Sequence, residues 1–205
     1  MRAIRSLYLA ALVFAFALSP LAAKADVEKY LLDKPHTQIM FSIDHMGYVK
    51  SFGKFTDYTG EIDWNKTEPE KSSVNVTIQT ASLDMGDATW NEHTSSDKLL
   101  DAKKFPTMIF KSASIKKTGG NTADITGDLT LHGVTKPVTL HAKLNKEGKH
   151  PMMDRMEAGF SATANLKRSD FGMGYGIPMV GDDVSIIIEV EAYHPDKTAE
   201  GTKNK

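Results

Sequence analysis

The 205-residue sequence has no cysteine. That excludes disulfides, thiolate nucleophiles, Cys-ligated zinc, iron–sulfur clusters and any lipid anchor attached through sulfur. It also lacks an excess of either charge: 25 Lys and Arg stand against 26 Asp and Glu, a formal −1, so nothing in the charge balance supports nucleic acid as a partner. No apolar run approaches the ~20 residues that a membrane-spanning helix requires. Motifs of hydrolases are missing as well, with neither G-x-S-x-G nor H-E-x-x-H present and no i,i+4 pair among the seven histidines. What remains, 40% hydrophobic and 25% charged residues, is the composition of an ordinary folded protein of one or two domains.

The first 25 residues read as a secretory signal. Arg2 and Arg5 form a basic start, Leu7 to Leu18 is an apolar run of 12 residues, and Ala23-Lys24-Ala25 is a small-x-small cleavage site. Cleavage after Ala25 removes three basic residues and no acid, taking the formal charge from −1 to −4. An exported chain without cysteine fits a bacterial periplasm better than a eukaryotic secretome, and the sequons at Asn65 and Asn75 are read as chance matches.

From Asp26 onward the dominant period is two. Ile39, Phe41 and Ile43 alternate with polar neighbours, as do Val74, Val76 and Ile78, then Ile125, Leu129 and Leu131, then Ala158, Phe160, Ala162 and Ala164, then Val184, Ile186, Ile188 and Val190. Strands with one wet and one dry face belong to antiparallel sheets. The expected strands are about eight, roughly 28–33, 37–46, 52–64, 73–83, 107–116, 122–132, 136–145 and 156–168, with a ninth segment at 183–193. Only 84–106 breaks the rhythm, and Ser95-Ser96-Asp97 ahead of Lys98-Leu99-Leu100 predicts a capped short helix within an insertion around 87–104. A sheet of this size favours an all-β, eight-stranded antiparallel barrel over a sandwich, because closure removes exposed edges. The expected organisation is a signal at 1–25, one barrel at 26–194 and a polar tail at 195–205.

Gly172-Met173-Gly174-Tyr175-Gly176 superficially resembles a dinucleotide loop, but its spacing and the strand that follows make it a flexible hairpin. Asp182 and Asp183 are adjacent at a strand start and diverge, which suits a solvated turn better than acid/base work. His132 and His141 fall on the polar phase and are expected to be exposed; His45 continues the dry phase, and His93 sits beside Trp90 in the helical insertion. The inward set mixes large with small: Phe41, Ile43, Phe55, Val76, Ile78, Phe110, Leu129, Leu131, Phe160, Ile186 and Ile188 converge with Gly127, Ala158, Ala162 and Ala164. Eight strands enclose a space that is either filled by side chains or holds one slender ligand, and periodicity alone does not decide which.

Several stretches then resemble the YceI-like family of bacterial periplasmic polyisoprenoid-binding proteins. They are Phe41-x-Ile43-x-His45-Met46-Gly47; Gly53-x-Phe55; Ala81-Ser82-Leu83-Asp84; Phe105-Pro106-Thr107-Met108-Ile109-Phe110; the long run Gly127-Asp128-Leu129-Thr130-Leu131-His132-Gly133-Val134-Thr135-Lys136-Pro137-Val138; and Leu166-Lys167-Arg168-Ser169-Asp170-Phe171-Gly172. The resemblance implies an extended lipocalin-like barrel around a long apolar tunnel that binds an isoprenoid chain, with no established catalytic residues and no cofactor or metal. One departure is Asn91-Glu92-His93-Thr94-Ser95, where the family often has Leu with Arg or Lys after the helix histidine.

On this reading the inward set named above lines the lipid site together with Trp90, Met108 and Phe171, and Met156 adapts alongside Met108 to a methyl-branched chain. His45, His93 or Arg168 then meets the polar head, the plainer alternative being that they make hydrogen bonds at the barrel end. A transient membrane or lipid-donor contact is the implied partner, and association as a homodimer stays open. Two rival readings stand beside the lipid carrier: a structural or stress-response barrel without native lipid, and an enzyme acting on an isoprenoid lipid.

Overall fold

The computed structural model describes residues 27–195. The expected signal segment, and the expected tail beyond Pro195, lie outside the described residues. The elements are β1 (Glu28–Leu32), β2 (Gln38–His45), β3 (Val49–Phe55), β4 (Tyr58–Trp64), β5 (Ser73–Gln79), β6 (Leu83–Asp84), α1 (Ala88–Ser95), β7 (Thr107–Lys117), β8 (Thr122–Leu131), β9 (Val134–Lys149), β10 (Met156–Lys167) and β11 (Val180–Tyr193). Short 3₁₀ turns join some of them.

The first six segments are three bent strands. β1 pairs with β4 while β2 pairs with β3, and β4 pairs onward with β5 while β3 pairs with β6. Each bent pair behaves as one stave, so eight staves follow one another antiparallel in chain order, through β5–β7, β7–β8, β8–β9, β9–β10 and β10–β11. The ring closes where β11 lies against β2 and, at Leu31↔Tyr193 and Leu32↔Ala192, against β1. This is the closed eight-stranded antiparallel barrel that the period of two predicts.

Boundaries differ from expectation in places where backbone geometry interrupts the period. The expected strand at 52–64 begins at Val49 and breaks at Thr56 and Asp57, where Thr56 N–H donates to the Ser82 carbonyl at 3.1 Å instead of continuing the ladder. β9 runs from Val134 to Lys149, longer than expected, because the two-residue turn His132-Gly133, with φ of 52° and 75°, pairs Leu131 directly with Val134. That turn carries His132 off the polar phase: it is half-buried, its ring lying 4.4 Å from Phe105 and its Nδ1 3.1 Å from the Phe171 carbonyl oxygen, so it is not the exposed residue expected. The helix is displaced too. It starts after Asp87, whose carboxylate accepts from Trp90 N–H at 3.0 Å, and ends where the sequence cue at Ser95-Asp97 was expected to begin it.

Two groups of buried side chains form the packed parts of the barrel, one toward each end. Met108, Leu131, Val138, Ala164, Phe171 and Met173 pack together near the end that carries α1. Tyr30, Ile62, Ala158 and Ala192 pack near the opposite end, with Trp64 and Phe160 against them. Between them the interior is open.

Candidate functional site

The space inside the barrel is a cavity of about 1060 Å³. Its wall follows from strand parity: Ile39, Phe41, Ile43 and His45 of β2, Val74, Val76 and Ile78 of β5, Leu129 and Leu131 of β8, and Val184, Ile186, Ile188 and Val190 of β11 all reach it. Small residues keep it open. Ala162, between Ala142 and Ile188 in register, offers it a single methyl group, and Gly127 leaves space for the Phe110 ring, since a Cβ there would run into that ring and into the Lys111 and Ser112 backbone.

The structure brings seventeen of the candidate residues to this one cavity: Phe41, Ile43, His45, Phe55, Val76, Ile78, Trp90, His93, Met108, Phe110, Leu129, Leu131, Phe160, Ala162, Arg168, Ile186 and Ile188. Phe171 is not on the wall. It follows β10 in a 3₁₀ turn, where the alternation no longer applies, and is 2% exposed in the core near the α1 end. Met156, Ala158 and Ala164 do not reach the cavity either; the two alanines are packed into the core at 1% and 2% exposure.

Other wall residues escaped the sequence reading. Leu32, Ile62, Trp64, Leu140, Ala142 and Leu144 continue the dry phase of their strands and were within reach of it. Ile115 faces in because a bulge between Ser112 and Ser114 slips the phase of β7 by one residue, a shift visible as the odd spacing from Phe110 to Ile115. Met85 and Met179 lie outside regular strands, where no period points to them.

At the α1 end the cavity opens between the β2–β3 turn, α1 and the loop from Gly172 to Met179. His45 packs edge-on to Trp90 with ring centroids 5.4 Å apart, and His93 faces Tyr175 at 6.3 Å. Arg168, 4% exposed, is committed elsewhere: Nε donates to the Gly181 carbonyl at 2.8 Å, Nη1 to Met173 and Tyr175 at 2.7 and 2.8 Å, and Nη2 to Val180 at 3.0 Å. Burial lowers its pKa, and four carbonyl dipoles surround the charge. It therefore shapes the mouth by holding the loop, as the plainer alternative for it expected.

The opposite end is polar. Lys66, Lys117, Asn121 and Glu147 reach the cavity there, and Lys66 Nζ stands 3.2 Å from the Glu147 carboxylate. Tyr30 lies nearby, its hydroxyl donating to Glu28 at 3.4 Å; burial first, then the charges of Glu28 and Glu147, push its pKa upward. Trp64 meets Phe160 edge to face at 5.5 Å, and its indole N–H is buried without a partner. The site is thus a long, mostly apolar chamber with its charged groups near its two ends.

A family model for the YceI-like domain matches residues 30–192. The chain belongs to the YceI-like family. Among curated relatives, a UPF0312 protein of Pseudomonas putida is 43% identical over 171 residues, covering 82% of this chain and 88% of the relative. One from Ectopseudomonas mendocina is 41% identical over 185 residues, covering 89% and 95%. Among solved structures, a Campylobacter jejuni YCEI protein aligns with a TM-score of 0.67 at 34% identity over 79% of this chain and 95% of its own. BcnA of Burkholderia cenocepacia aligns at 0.72 and 26% identity, over 78% and 98%. A polyisoprenoid binding domain from Saccharophagus degradans shares the YceI-like fold at 0.62 and 13% identity, over 83% and 100%.

Proposed function

We propose that this YceI-like barrel binds a long-chain isoprenoid or a related amphipathic lipid in its tunnel, and carries or sequesters it in the bacterial periplasm after loss of residues 1–25. The observation that carries this reading is the apolar cavity of about 1060 Å³ running between two polar ends, at the large end of the range for small-molecule sites. The name of the Saccharophagus degradans neighbour, a polyisoprenoid binding domain, supports the same ligand class.

Each buried CH₂ contributes about 0.8 kcal/mol, so such a chain does not escape into bulk water on any useful timescale. The protein holds its cargo until an apolar acceptor is offered. A polar head lies at one of the two ends, beside His45 and His93 or beside Lys66, Lys117 and Glu147. The action proposed is binding, without turnover.

Native mass spectrometry of protein purified from its own cells is expected to show one lipid per chain, and Ala162→Phe, which fills the tunnel, to remove that lipid while the barrel still folds. A spectrum free of lipid for the unaltered protein overturns the reading.

A further inference from the structure

The α1-end mouth is ringed by apolar side chains that the barrel does not bury. Met46, Tyr48 and Val49 on the β2–β3 turn are 51%, 86% and 60% exposed, and Tyr175, Ile177 and Met179 on the facing loop are 51%, 36% and 63% exposed. The two segments are one surface. Met46 N–H donates to the Met179 carbonyl at 2.7 Å, and Val180 pairs with His45. Both are free of charge: nothing ionised stands between Asp44 and Lys50 apart from His45 if it is protonated, and nothing at all between Asp170 and Asp182.

We infer that this collar is a docking surface for the face of a lipid bilayer, seating the mouth of the tunnel in the membrane. It rests on the carrier reading for its purpose but not for its evidence. Charge favours a lipid surface. The bordering acids are turned onto their own chain, Asp44 accepting from Gly47 N–H at 2.8 Å and Asp182 from Ser169 N–H and Oγ–H at 2.9 and 2.8 Å. Lysines stand beside the collar: Lys50 is exposed and Lys98 stands 5.5 Å over the Tyr175 ring, both placed to meet lipid phosphates, while exposed Glu92 and Asp97 lie on the α1 side of the mouth. Tyrosines and flexible methionines suit the boundary between headgroups and acyl chains.

At ~150–250 Å² per large side chain, the six exposed fractions amount to roughly 500–900 Å², a patch at or above the largest that most monomers leave open. Continuity with the tunnel completes the case, since Met46, Tyr175 and Met179 also line the cavity. An apolar chain leaving past them enters the acyl region without crossing water.

The test is co-sedimentation with vesicles of phosphatidylcholine and with vesicles of phosphatidylcholine and phosphatidylglycerol, 3:1, alongside the lipid content per chain by mass spectrometry. The protein is expected to bind both in 0.5 M salt. The double variant Tyr48→Ser, Val49→Ser, at two collar residues outside the cavity wall, is expected to lose tenfold or more of that binding with its circular dichroism and lipid content unchanged. Equal binding by variant and parent, or no binding by the parent, overturns the inference. Light scattering that shows a dimer lost in the same variant overturns it in favour of a second copy. A chain that carries no lipid, yet binds vesicles through the collar, refutes the carrier and keeps the docking surface.

Discussion

Arg155 is the side chain on which the barrel's closure most depends. Its Nη2 donates to Asp33, just after β1, at 2.6 Å and to Glu157, in β10, at 2.7 Å, and its guanidinium lies 4.8 Å over the ring of Tyr193 in β11. All three ion-pair members are nearly buried, at 11% to 14% side-chain exposure. Burial alone pushes the Asp33 carboxyl up, but hydrogen bonds from Arg155 and His36 outweigh it and hold the pKa below the ordinary carboxylate range. A carboxyl depressed in the folded state stabilises fully above its unfolded value near ~3.9 and loses that contribution as pH falls through the folded value. Arg155→Met takes the guanidinium from Asp33 and Glu157 and leaves them only the imidazoles of His36 and His150, an expected cost of about 3 kcal/mol in urea unfolding at pH 7. At acid pH the deficit is expected to shrink as the Asp33 carboxyl takes up its proton; a deficit independent of pH contradicts the pairing. Asp33, His36 and Glu191 also form a cluster with the geometry of a cation site. The guanidinium already supplies the positive charge there.

At the scale of elements, α1 is the weakest part of the fold. Eight residues make two turns, too short to persist alone, and none of them is buried. It is held by the Asp87 cap and by Asn91, whose Oδ1 accepts from Met85 N–H at 2.6 Å. Hydrogen exchange of amides 88–95 is therefore expected to run on the order of 100-fold faster than in the middle of β10, and Asn91→Ala to widen the gap; equal protection of the two means that α1 is part of the cooperative core. The strands were legible in the sequence because an inward residue every second position leaves a mark that composition preserves. Where the backbone leaves the ladder the mark disappears. Phe171 sits in a 3₁₀ turn, His132 in a left-handed turn, and Ile115 beyond a bulge, and each was misread or missed for that reason. The helix was misplaced because two sets of capping residues compete. The stretch after Ser96 cannot continue as a helix: Leu99 N–H and Asp101 N–H both return to the Ser96 carbonyl, and Asp101 has a φ of 44°.

For the whole molecule the open interior sets the energetics. A barrel lined by apolar side chains with about 1060 Å³ between them gives up packing that a filled core would have, and a ligand restores it. Binding only to the folded state adds RT ln(1 + [L]/Kd), ~4 kcal/mol at a thousandfold excess over Kd. For a protein of this size that corresponds to roughly 10 °C. Protein stripped of lipid by organic extraction and refolded is expected to melt lower by about that amount than protein as purified, and to recover on reloading with a prenyl alcohol. Unchanged melting on reloading speaks for a barrel that does not use its interior.

The seam between β11 and the first two strands joins the two ends of the described chain, with Leu31 facing Tyr193 and Phe41 facing Ile186. Counted as staves, every other neighbour in the ring is also next in sequence, so the pairings up to β10 close only short loops. Closure waits for the last strand, and it carries the largest loop entropy of any contact in the molecule. Without β11 the ring has no partner for the outer edge of β2 and stays open. The order of events in folding is written into which pair of strands completes the circle.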